Sequence, residues 1–161
     1  MKKVILTSMG VIVMALTACT ESKKEADWVV DKFDDIKVMR YEVPEFENLP
    51  LNEKLLVYYL AESAKCGRDI MYDQNFKYNL AIRRALESIY TSYDGDRSCE
   101  QFVAMEKYLK KVWFANGIHH HYSNDKFTPE FSREWFIEQL KGVDTGVVSH
   151  EELAEVIFNP A

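Results

Sequence analysis

From Leu51 onward, apolar residues return at intervals of three and four, the spacing of a helix face. Leu55, Leu56, Tyr59, Leu60 and Ala64 predict a helix running from near Leu51 to about Tyr72. Gly67 inside it costs about 1 kcal/mol against alanine, so a bend or a close backbone approach is expected there. Leu80, Ile82, Leu86, Ile89 and Tyr90 mark a second helix over Phe76–Tyr93, stopped by Asp94-Gly95-Asp96. Ser98 is the expected N-cap of a third helix, whose stripe is Phe102, Met105, Leu109, Val112 and Trp113. A fourth runs from about Ser132 to Lys141 and is closed by Gly142. Ser149 with Glu152 predicts a capping box for a last short helix. Before Pro50 the pattern differs: Ile36–Val43 has β-leaning residues in partial alternation, punctuated by Pro44 and Pro50. The expected class is mainly α, with a short extended segment ahead of the helices.

Upstream of that body lies a stretch of another kind. A short basic start, Met1-Lys2-Lys3, leads into the apolar run from Val4 to Ala18, which is shorter than a membrane span of roughly 20 residues. That layout is a secretory signal. Leu16-Thr17-Ala18-Cys19 resembles the lipobox of bacterial lipoproteins, in which the cysteine becomes the lipidated first residue. The expected organisation is a signal peptide over 1–18, a lipidated tether over 19–27 and one domain over 28–161, held at the bacterial cell envelope. Two acyl systems on Cys19 would anchor it stably, where a single chain is marginal. Losing Lys2 and Lys3 takes the formal charge from −6 to −8, a balance that excludes nucleic acid as a partner. Cys66 and Cys99 then remain, and spacing alone leaves open whether they pair.

Candidate chemistry centres on the loop Trp113–Phe127, which contains His119, His120 and His121 in succession. Imidazole is the commonest metal ligand, but consecutive residues point in different directions, and a catalytic zinc needs three convergent protein ligands. Only His119 and His121 could face one way, so the triplet reads as the polar lining of a groove, with no metal ligand assigned. His150-Glu151-Glu152-Leu153-Ala154 lacks the second histidine of a zinc-protease helix, because Ala154 stands at i+4. The calcium-loop look-alikes fail as well: Met105 stands where one needs glutamate, and Lys141 and Val143 occupy ligand positions of the other. There is no nucleophile elbow and no glycine-rich phosphate loop. The residues themselves assign no catalytic group.

The segment "WFANGIHHHYSNDKFTPEF", with "DWVVDKFDDIKVMRYEVPEFENLPLNEKLLVYYLAESAKCGRDI" and "YDQNFKYNLAIRRALESIY", resembles the N-terminal part of the dipeptidyl peptidase III family. The likeness is to its bacterial branch and runs from Ala26 to about Gly142. It implies a zinc exopeptidase ancestry, in which dipeptides are released from the N-terminus of oligopeptides by a two-lobed α+β enzyme. Family members hold zinc with a downstream H-E-x-x-G-H helix and a further glutamate, and this sequence contains neither. By resemblance, the loop from Gly117 to Phe127 borders the peptide cleft, and Tyr122 takes the place of a substrate-contacting aromatic. Asn116, Gly117, His119 and Asn124 belong to the same lining, and Cys66 and Gly67 align with another cleft stretch. The expectation is therefore a truncated peptidase segment, with no cofactor of its own and inactive alone. The alternative is a stand-alone envelope lipoprotein, a helical module for peptide binding or scaffolding.

Overall fold

The computed structural model of the chain describes residues 28–159. The expected signal peptide of 1–18, Cys19 and the tether of 19–27 lie outside the described residues. An antiparallel hairpin comes first, β1 (Val29–Phe33) with β2 (Ile36–Met39), turning through Asp34 at φ 54. Six α-helices follow: α1 (Leu51–Cys66), α2 (Arg68–Asn75), α3 (Asn79–Ser92), α4 (Glu100–Ala115), α5 (Arg133–Gln139) and α6 (His150–Phe158). The protein is mainly α, as its spacing predicts. No helix among the described residues is long and apolar enough to cross a membrane.

The core forms where the 3.6-residue stripes meet. Ile82, Ala85, Leu86 and Ile89 of α3 are buried with Phe102, Met105, Leu109 and Val112 of α4. Phe136 and Leu140 from the α5 end, with Leu153, Ala154 and Ile157 of α6, belong to the same cluster. Beside it, a polar chain ties three helices together. The Trp113 indole donates to Glu87 at 2.8 Å, and Glu87 also lies 3.5 Å from Arg83. Arg83, only 8% exposed, reaches Asp69 at 2.8 Å and lies over the Tyr72 ring. This arrangement fixes α2 against α3 and α4, and so fixes the walls of the concavity described below.

Several element ends differ from the sequence reading, each for a local reason. The long first helix divides at Gly67, where the backbone switches to i→i+3 hydrogen bonds from Gly67 to Ala64 and from Ile70 to Gly67. Cys99 rather than Ser98 caps α4, because the Ser98 amide and hydroxyl both donate to Asp96, at 2.8 and 2.6 Å. Ser149 does accept from the Glu152 amide at 3.1 Å. The Glu152 carboxylate, however, accepts from the Tyr78 hydroxyl at 2.5 Å, which leaves the box half formed. Cys66 and Cys99 are both free; the Cys99 thiol lies 3.5 Å from the Tyr93 hydroxyl.

The largest difference is α1. Its apolar residues sit at helical spacing, yet none of them is buried, and Leu55–Leu60 are 44–65% exposed. Leu55–Ala61 is an unbroken run of seven apolar residues, so the helix is apolar on every side at its middle. That is the composition of a helix enclosed by protein rather than one lying on a surface.

The hairpin is docked on α4 mainly by charge. Lys110 reaches Asp31 at 2.9 Å, and Lys111 pairs with Asp34. These hydrogen-bonded ammonium groups hold both carboxyls below their ordinary value. A depressed folded pKa stabilises docking above the unfolded value, near 4, and the effect is lost as pH falls through the folded value. We expect the hairpin to loosen below about pH 4, or in roughly 1 M salt, while the core stays folded. Side-chain NMR shifts of Phe33 and Ile36 should then move, and those of Leu109 should not.

Candidate functional site

A concavity of about 510 Å³ opens where the end of α2, the start of α3 and the end of α4 converge on the loop after α4. Met71 and Asn75 come from α2, Asn79 from α3 and Ala115 from α4. The loop contributes Asn116, Gly117, the three histidines, Ser123 and Asn124.

The loop is held by a buried amide. Asn79 is nearly inaccessible; its Oδ1 accepts from the Ile118 amide at 3.1 Å, and its Nδ2 donates to the Asn116 carbonyl at 3.5 Å. Asn75 donates to the same carbonyl at 3.2 Å. The chain leaves α4 through Asn116 at φ 54, the left-handed C-terminal conformation that asparagine tolerates. Gly117 follows at φ 155, and a Cβ there would stand 2.2 Å from Asn79 Nδ2, so only glycine fits. Beyond Ile118 the loop folds back on itself. The Phe127 amide donates to Ile118 at 2.8 Å, the His120 amide donates to Asp125 at 2.8 Å, and His119 bridges to Lys126.

The three imidazoles have different surroundings. His119 is half-buried, set perpendicular to Phe76; burial, helped by the Lys126 charge, lowers its pKa. His120 and His121 are exposed, with ring centroids 4.5 Å apart. The His120 Nδ1 accepts from the Tyr122 amide at 3.2 Å, which places the neutral proton on Nε2. His121 lies against Phe114 at 4.9 Å and Tyr122 at 4.1 Å. Among the described residues, no group of three or more histidine, cysteine or acidic side chains could hold a metal ion.

The structure brings Asn116, Gly117, Asn124 and the histidine triplet to the concavity, and it adds Ser123. Tyr122 is 89% exposed at the loop tip, beside the concavity rather than in its wall. Cys66 and Gly67 stand at the α1–α2 junction and are not in the lining. Asn75 and Asn79 escaped the sequence reading. Asn79 had a visible signal: it shares a helix face with Ile82 and Leu86, three and seven residues on, and is a polar residue on an apolar stripe.

No protein-family model matches the chain, and no curated protein matches it. What this arrangement can do chemically follows from its groups. It offers amide, hydroxyl and imidazole donors and acceptors with exposed aromatic rings alongside.

Proposed function

We propose that this chain is the helical N-terminal segment of a dipeptidyl peptidase III-like enzyme, which supplies peptide-lining surface and does not hydrolyse peptides alone. The supporting observation is the pinned Asn116–Asn124 loop, in which residues of the resembling motif border one concavity of about 510 Å³. Asparagine amides and imidazoles at such a surface can pair with both N–H and C=O of an extended peptide. In this reading oligopeptides are the ligands, zinc belongs to the family's H-E-x-x-G-H helix, and lipidated Cys19 anchors the protein at the envelope. The apolar girdle of α1 supports this reading, because a helix apolar on every side has the composition of one enclosed by protein.

A stand-alone lipoprotein module is the second reading, and the continuous core from α2 to α6 favours it. A single cooperative melting transition of the purified chain would support this module reading; aggregation through α1 would support the truncated one.

The activity itself is tested with the purified full chain, zinc and a dipeptidyl-naphthylamide. The expected result is no naphthylamine above the buffer control and no zinc retained after dialysis. Dipeptide release, or one tightly held zinc per chain, contradicts the proposal.

A further inference from the structure

The lining of the concavity holds three imidazoles and no aspartate, glutamate, lysine or arginine. The charged groups nearby are engaged elsewhere. On α2, Asp69 is taken by Arg83 and Arg84, while Asp73 lines a different groove with Lys77. On α4, Lys110 and Lys111 are paired with Asp31 and Asp34. In the loop, the Asp125 carboxylate accepts from the Ser123 hydroxyl at 2.8 Å. Lys126 donates to the Asn159 carbonyl, with Glu155 of α6 as its charged neighbour. Three helix ends reach the site, the positive start of α3 and the negative ends of α2 and α4.

Among the side chains that line the concavity, the histidines are the ones that can carry a positive charge, with Lys126 beside His119 and the Asp125 carboxylate bonded to Ser123 at its edge. Imidazoles charge between about pH 5 and 8. With rings 4.5 Å apart, His120 and His121 repel if both carry a proton, and charging His120 at Nδ1 also gives up the Tyr122 amide bond. An anion beside the pair removes the repulsion. We propose that this concavity takes a carboxylate-bearing residue of its ligand, held between His120 and His121, and that binding draws a proton onto the pair. The inference rests on the peptide-lining reading and narrows its ligands to acidic peptides. The proton comes from solvent, and no covalent bond changes.

The test compares two capped probes, N-acetyl-Ala-Glu-Ala-amide and N-acetyl-Ala-Gln-Ala-amide, titrated calorimetrically into the full chain at pH 5.5 and pH 8. The glutamate probe is expected to bind roughly tenfold tighter at the lower pH, with proton uptake seen as a buffer-dependent heat, while the glutamine probe is indifferent to pH. His121→Gln, at an exposed position that leaves folding intact, should erase the difference. If both probes bind equally at both pH values, the inference is overturned and the peptide-lining reading stands. If neither binds at either pH, both are overturned.

Discussion

Gly117→Ala is expected to destabilise the protein by about 2–6 kcal/mol and to detach the histidine loop. The new methyl would overlap the Asn79 amide, at 2.2 Å from Nδ2 and 2.6 Å from Cγ. Asn79 is buried and fixed at both ends of its amide, so it can yield only by releasing the Ile118 amide, which is itself buried. An unpaired buried donor costs about 1–3 kcal/mol, and a non-glycine residue at this φ adds about 1–3. The melting temperature should fall by roughly 10 °C. Asn79→Ala alone also loses the anchor. Combined with Gly117→Ala it should cost less than the sum of the two, because the collision disappears with the amide. Strict additivity in that cycle would show that Asn79 does not set the loop.

A leucine pair separates the true core from the part of the chain that only has its periodicity. Leu109→Ala, in α4 at 0% exposure, should cost about 2–5 kcal/mol. Leu56→Ala, in α1 at 59% exposure, should stay within about 0.5 kcal/mol. Both leucines occupy helical apolar positions, Leu56 in a run that is apolar on every side and Leu109 on a stripe flanked by lysines. Urea unfolding of the two variants measures the contrast directly; a large loss at Leu56 would mean that α1 is packed in solution.

That contrast also marks where the sequence could be read. In α3 and α4 the spacing is enough, because each stripe has its partner within the same chain: Leu86 and Ile89 are buried with Met105 and Leu109. In α1 the same spacing predicts a helix correctly and says nothing about burial, which depends on what surrounds it. Helix ends followed competition for hydrogen bonds. Asp96 took the Ser98 groups that would have capped α4, and Tyr78 took the Glu152 carboxylate that would have completed the box at α6. At the site, the loop Asn116–Asn124 was legible as a cluster of polar and imidazole groups. The floor was not, since Asn75 and Asn79 precede that loop by about 40 residues and reach it only through folding. The expected leader and Cys19 concern residues outside 28–159, and their test is chemical: mass analysis of the membrane-extracted protein for acyl groups on Cys19.

The most direct measurement is hydrogen–deuterium exchange of the full chain with and without tetra-alanine. Protection is predicted for the loop Gly117–Phe127 and for the amides around Asn75 and Asn79, with α1 unchanged. Protection confined to Leu55–Ala61, or none anywhere, would contradict a peptide surface built on the histidine loop.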